Sequence, residues 1–164
     1  MLIKTIVDED FTNYKLTSMF IALGTCNWKC CTEENIPISI CQNSELARQK
    51  DIEVSADEIF SRYISNPLTS AVVIGGLEPF TIGKDIIDLV KRFRFNGCND
   101  AFIIYTGYYP HEIEKEINQL KAYDNVILKY GRFKPNNQPH YDEVLGVNLV
   151  SDNQYAERIS QCSQ

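Results

Sequence analysis

Cys26, Cys30 and Cys41 carry the densest chemistry in the chain. They stand in the stretch Ser18-Met-Phe-Ile-Ala-Leu-Gly-Thr-Cys26-Asn-Trp-Lys-Cys30-Cys31, which runs through a polar excursion to Cys41-Gln42-Asn43. Residues 19–23 form an apolar, strand-like run. The cysteines therefore occupy the loop leaving the end of a strand, where α/β proteins place their chemistry. Three thiolates on one loop can hold three irons of a cubane cluster and leave the fourth iron free for a small molecule. The rival is a structural zinc site built from Cys26, Cys30, Cys31 and Cys41. Zinc sites usually pair their cysteines in two separate knuckles, and adjacent Cys30 and Cys31 project differently, so the iron–sulfur reading is favoured. Cys31 is then a bystander or a reserve ligand.

The elements that must position this loop follow from the hydrophobic pattern. Ser70–Ile74 is a short β-branched strand ending at Gly75-Gly76. Ala101–Tyr105 is the next, closed by Thr106-Gly107, and Asn125–Tyr130 another, before Gly131-Arg132-Phe133. Between them lie helices. Ser55-Ala-Asp-Glu58 is a capping box ahead of Ile59 and Phe60. Ile82, Ile86, Leu89, Val90 and Phe93 make the apolar stripe of a helix over 81–95 that Gly97 stops. Pro110 sits near the first turn of a helix running to about Ala122, with Ile113, Ile117 and Leu120 on one face. Residues 135–139 read as a loop, and 144–150 as a short closing strand. Alternating strands and helices predict parallel βαβ units in a single α/β domain over residues 1–164.

Composition limits the function. Hydrophobic content of 44% and charged content of 23% are ordinary globular values, and 164 residues bury a core without staples. Sixteen basic against twenty-two acidic side chains give −6, which argues against a nucleic-acid-binding surface. No apolar run reaches membrane-span length, and Asp8, Glu9 and Asp10 interrupt any signal-peptide layout, so a cytoplasmic protein with no membrane partner is expected. Six cysteines in such a compartment point to metal or redox chemistry where they cluster. Cys98 and Cys162 are isolated and read as ordinary thiols.

Other residues add weaker signals. Gly75-Gly76 before Leu77-Glu78-Pro79 lets a ligand approach the backbone at a strand end with no Cβ in the way. Thr106, in Tyr105-Thr-Gly-Tyr108, can hydrogen-bond a ligand or satisfy its own turn. Trp28 stands where it would shield a cluster from water. His111-Glu112 is no zinc-protease helix, because Lys115 occupies the place of the second histidine. His111 and His140 read as surface residues, and no Gly-rich phosphate loop is present.

These motifs together resemble radical S-adenosylmethionine proteins, and most of all the anaerobic ribonucleotide reductase activating proteins. That family carries Cys-x3-Cys-x2-Cys-x-Asn after its first barrel strand. Cys26 and Cys30 keep the first spacing and Cys41-Gln42-Asn43 matches the close, while ten residues, Cys31 to Ile40, replace the usual two. Gly75-Gly76-Leu77-Glu78-Pro79 is similar to the family's Gly-Gly-Glu-Pro turn with Leu77 inserted. Tyr105-Thr-Gly-Tyr108 is closely similar to a family motif. Tyr130-Gly-Arg-Phe133 is similar to Asp-Gly-Arg-Phe with Tyr130 in place of aspartate, and Ser151-Asp-Asn-Gln154 to a closing Ser-Asn-Gln run.

The resemblance implies an open partial (β/α) barrel with mostly parallel strands; the chain is too short for the complete barrel of about 250 residues. It implies a 4Fe-4S cluster on Cys26, Cys30 and Cys41, with S-adenosylmethionine held by Ile40, Gln42, Asn43, Gly75, Gly76, Glu78 and Thr106. It further implies reductive cleavage to a 5′-deoxyadenosyl radical. The radical's target would be a backbone glycine of a large glycyl radical enzyme such as anaerobic ribonucleotide reductase, with a one-electron donor such as flavodoxin. Chain size agrees with a protein substrate that completes the site. The alternatives are a radical enzyme or maturase acting on another peptide or small molecule, and a non-enzymatic zinc-binding interaction protein.

Overall fold

The computed structural model describes residues 1–160, so Cys162 lies outside the described residues. In chain order the elements are β1 (Leu2–Asp10), β2 (Ser18–Leu23), α1 (Lys29–Glu33), α2 (Ser44–Ala47), β3 (Ile52–Glu53), α3 (Ala56–Ile64) and β4 (Ala71–Gly75). They continue with α4 (Gly83–Phe95), β5 (Ala101–Tyr105), α5 (Glu114–Leu120), β6 (Val126–Tyr130), β7 (His140–Asp142), β8 (Val147–Leu149) and β9 (Tyr155–Arg158). Among the described residues seven strands form one sheet in the order β3-β1-β2-β4-β5-β6-β9. Its centre, β2-β4-β5-β6, is parallel throughout, whereas β1, β3 and β9 pair antiparallel at the flanks.

The parallel strands are short apolar runs because both of their faces are covered. On one face Met19, Ile21, Val72, Ile74, Phe102, Ile104, Val126 and Leu128 pack against α3, α4 and α5 through Ile59, Tyr63, Leu89, Phe93 and Ile117. Phe93 is the hub, with the rings of Phe60, Tyr63 and Phe102 all within 5.2 Å of its centroid. On the other face Ala71, Val73, Ala101, Ile103 and Ile127 meet Tyr14, Leu145 and Leu149. Among the described residues no helix joins that cluster; the 11–17 loop and the β7–β8 hairpin do. Small residues there leave room above the strand ends.

Local signals act as expected at several places. Ser55 Oγ accepts from the Glu58 amide at 3.2 Å while Glu58 accepts from the Ser55 amide at 2.8 Å, a closed capping box. Gly97 takes φ +76°, and the Cys98 amide returns to Phe93 O, ending α4.

Three expectations need correction. The helix drawn from Pro110 to Ala122 is two pieces, a 3-10 turn over Pro110–Glu112 and α5 from Glu114. Ile113 breaks it at φ −133°, because the Glu112 carboxylate turns back onto the Tyr109 amide. The strand read over 144–150 is only Val147–Leu149, and it pairs with β7 in a separate hairpin. The strand that completes the sheet is β9, antiparallel to β6. The helix read from Thr81 begins at Gly83, preceded by a 3-10 turn over Pro79–Ile82.

The fold class is thus α/β with a mostly parallel central sheet, and the sheet is open, with β3 and β9 at its edges. No helix among the described residues is long and apolar enough to cross a membrane. The C-terminal ends of β2, β4, β5 and β6 point the same way. The cysteine loop, Gly75-Gly76, Thr106-Gly107 and Gly131 follow these ends directly and form one rim.

Candidate metal centre

Cys26 leaves β2 through Gly24-Thr25, and the Thr25 carbonyl accepts the Glu78 amide at 2.9 Å, which fastens the cysteine loop to the turn after β4. Trp28 adopts φ 58°, a left-handed turn that starts α1 and aims its amide at Cys26 Sγ, 3.3 Å away. Cys30 stands on α1. The excursion then closes on itself, Ile36 N to Cys31 O at 3.0 Å, and a 3-10 turn over Ile38–Ile40 delivers Cys41. Asn43 ends the loop. Its amide nitrogen Nδ2 donates to the Gly76 carbonyl at 2.5 Å, and its backbone amide lies 3.5 Å from Cys41 Sγ.

These groups share one cavity of about 320 Å³. Its wall contains Cys26, Cys30, Cys41, Gln42, Asn43, Gly76, Glu78 and Thr106, brought together from three strand ends. Two sequence candidates are elsewhere. Ile40 is 48% exposed on the 3-10 turn, and Gly75 is buried within the sheet, where a Cβ would meet Tyr105 Cβ at 3.2 Å. Cys31 is 3% exposed and is not in the wall; burial and the neighbouring Cys41 and Cys30 thiols raise its pKa. Cys98 precedes β5, at the opposite end of the strands, with Sγ 3.7 Å from Asp100 Oδ2. His111 is exposed and His140 half-buried.

All five cysteines among the described residues are free. Burial pushes the Cys26 thiol up to about 11 and raises that of Cys30, where the Phe133 backbone, Arg132 and Lys129 oppose it. Ligation therefore displaces protons from neutral thiols. Among the described residues no three His, Cys, Asp or Glu side chains gather closely enough for a single metal ion; the three thiols share a wall and not a point.

A scan against protein families matches residues 17–154 with the family described as a 4Fe-4S single cluster domain. The chain belongs to that family. Comparison with curated proteins and with solved structures finds no match. The 4Fe-4S single cluster domain is consequently an iron–sulfur protein, and the zinc alternative falls away. The donor set fits the group. Thiolates are the customary ligands of such clusters, two amides already point at two of the sulfurs, and Gly107 leaves the Cys30 sulfur space that any side chain would take.

In the same wall as the thiols, the 4Fe-4S domain carries two buried ionisable groups, Glu78 and Lys129. Glu78, 7% exposed, accepts from Thr106 Oγ1 at 2.6 Å, from the Gly107 amide at 2.9 Å and from the Phe80 amide at 3.1 Å. Burial raises its pKa against those three donors and the Lys129 charge. The Thr106 proton goes to Glu78, and its oxygen accepts the Tyr108 amide at 3.0 Å.

Lys129 was not legible as a site residue. It is 6% exposed and lines the cavity, with one hydrogen bond from Nζ to Gly131 O at 3.4 Å. Burial drives its pKa down to about 8, while Cys30 and Glu78 pull the other way. A lone lysine inside the apolar run Val-Ile-Leu-Lys-Tyr was the available signal. Gln154 also lines the cavity, with Nε2 3.3 Å from Gly131 O and a buried Oε1 that has no partner.

Proposed function

We propose that this 4Fe-4S domain is a radical S-adenosylmethionine enzyme. The single observation that carries the reading is a cavity whose wall holds three thiols, from Cys26, Cys30 and Cys41, together with a buried carboxylate and a buried ammonium, from Glu78 and Lys129. Three thiolates on a four-iron cluster leave one iron without a protein ligand. The methionine end of the nucleotide carries an ammonium and a carboxylate, and Glu78 and Lys129 offer the opposite charges to both.

Cys26, Cys30 and Cys41 would hold the cluster, which would supply the one-electron reduction needed to cleave the sulfonium's C5′–S bond into methionine and a 5′-deoxyadenosyl radical. The chain's own residues bind, orient and exclude water. Thr106 and the Gly107 amide, both in the cavity wall, hold Glu78 in place through hydrogen bonds to both of its oxygens. Asn43 locks the cysteine loop to Gly76, whose φ of +76° and close contact with Leu46 leave no room for a side chain. Lys129 presents a positive charge in a low-dielectric wall, where it acts more strongly than at a surface. Trp28, half-buried, is outside the cavity wall and acts on the site through its backbone amide, which points at Cys26 Sγ.

The parallel strands β2, β4, β5 and β6, with their ends around the cavity, are in this reading the core of an open partial barrel. The hydrogen donor is a glycine of a glycyl radical enzyme, with anaerobic ribonucleotide reductase as the first candidate, and a flavodoxin-type protein supplies the electron. Support for this partner is the resemblance of the cysteine loop and glycine turn. The test is anaerobic reconstitution followed by dithionite and S-adenosylmethionine. Formation of methionine and 5′-deoxyadenosine is expected, and a glycyl signal in electron paramagnetic resonance once the reductase is added. Cleavage without that signal points to another peptide or small molecule; a cluster that leaves the nucleotide intact rules out the radical reading.

A further inference from the structure

We propose that Arg132 is a positioning residue that fixes the Cys30 corner of the cluster relative to Glu78. Its side chain is 3% exposed, yet it touches three separate segments. Nε and Nη2 fork onto Glu33 at 2.8 and 3.0 Å, Nη2 reaches Glu112 at 2.7 Å, and Nη1 donates to the Gly107 carbonyl. The rings of Tyr108 and Tyr109 each stand 5.3 Å from the guanidinium carbon.

Glu33 is on α1, one turn beyond Cys30, so the fork holds the helix that presents this thiol. Gly107 is the residue whose missing Cβ makes room for the Cys30 sulfur and whose amide donates to Glu78. Arg132 therefore joins the cluster-bearing helix to the loop that orients the buried carboxylate. Lys29, also on α1, reaches the same Glu112 and closes the network. A planar guanidinium can serve these partners at once; an ammonium on a flexible stem cannot. The other ties of this loop are of a different kind: Asn43 reaches Gly76 beyond the excursion, and within it Lys134 meets Glu34 at 3.3 Å with both side chains about one-third exposed.

The inference rests on Cys30 being a cluster ligand. It does not depend on the nucleotide, and its test reads the cluster alone. Arg132→Lys and Arg132→Gln are reconstituted beside wild type and beside Arg62→Gln, which breaks the exposed Arg62–Asp8 pair outside the cavity. Both Arg132 variants are expected to hold iron with roughly 10-fold or greater loss of cluster affinity. Their reduced clusters should give a broadened, shifted paramagnetic spectrum. Arg132→Gln also leaves Glu33 and Glu112 to share Lys29 as their remaining counter-charge and should move the reduction potential negative. Arg62→Gln changes thermal stability only. If Arg132→Lys does not fold, Glu112→Gln, which keeps the Glu33 fork, should move the same spectrum by less. Wild-type spectra and affinity in every foldable variant at Arg132 and Glu112 would overturn the inference. Wild type that loads cluster but ignores S-adenosylmethionine would sink the radical reading and leave this one standing.

Discussion

Gly107 lies against Cys30: a Cβ built on this glycine would stand 2.9 Å from the Cys30 sulfur and 3.5 Å from Glu78 Oε2. Its backbone needs no unusual φ, so alanine fits the chain conformation and conflicts only with the thiol. Gly107→Ala should therefore leave the melting temperature of the cluster-free protein within a few degrees of wild type. Cluster content after reconstitution should fall severalfold, because Cys30 must rotate away from its ligating position. Iron and sulfide analysis beside a thermal melt separates the two effects.

Asn43 ties the end of the cysteine loop to Gly76 with a single donor. Asn43→Asp removes that donor and sets an oxygen against the carbonyl, so it should be worse than Asn43→Ala. The expected loss is about 1–3 kcal/mol of stability for the aspartate variant. Chemical denaturation of the three proteins checks the order.

Glu78 is buried with three donors aimed at it. Glu78→Gln keeps the shape but presents an amide to donors that need acceptors at both oxygens. Affinity for S-adenosylmethionine should drop by roughly 10-fold or more if the carboxylate receives the substrate ammonium. Isothermal titration of the reconstituted protein measures it; unchanged affinity would remove Glu78 from the binding site.

Lys129 gives a pH dependence with a definite sign. Burial lowers its pKa from 10.5 to about 8. Below about pH 8 folded and unfolded chains both hold the proton, and a constant penalty applies. Between about 8 and 10.5 the folded chain releases it first, so the stability attributable to this site rises with pH. Cys26, raised to about 11, works in the opposite sense over part of that window, so the useful quantity is a difference. Lys129→Met in the cluster-free protein should be more stable than wild type at pH 7, by on the order of 2 kcal/mol, and the gap should narrow toward pH 10. Denaturation profiles at several pH values test this.

What the sequence disclosed and what it hid have physical causes. β4, β5 and β6 were readable because strands covered on both faces are continuous apolar runs. β1 and β9 were not, since their polar residues are satisfied by distant partners: Asp8 by Arg62, and Glu157 by Tyr130 across the strand pair. The cysteine loop announced its chemistry through residue type alone. Lys129 looked like an interruption of an apolar strand, and its meaning lies in which wall it enters. Arg132 could be seen as part of a motif, but its partner Glu33 is 99 residues away in sequence, a pairing that only the fold creates. Thr106 shows the limit of motif reading: the hydroxyl sits at the cavity and orients Glu78 from there.

The most direct measurement is anaerobic reconstitution of wild type and of Cys26→Ala, Cys30→Ala, Cys31→Ala and Cys41→Ala, with iron, sulfide and the visible absorption spectrum recorded for each. Cys31→Ala should keep a full 4Fe-4S complement, because that residue is buried outside the cavity wall, while the other three lose it. Equal loss in all four variants, or a full complement in any of the other three, would contradict a cluster held by Cys26, Cys30 and Cys41.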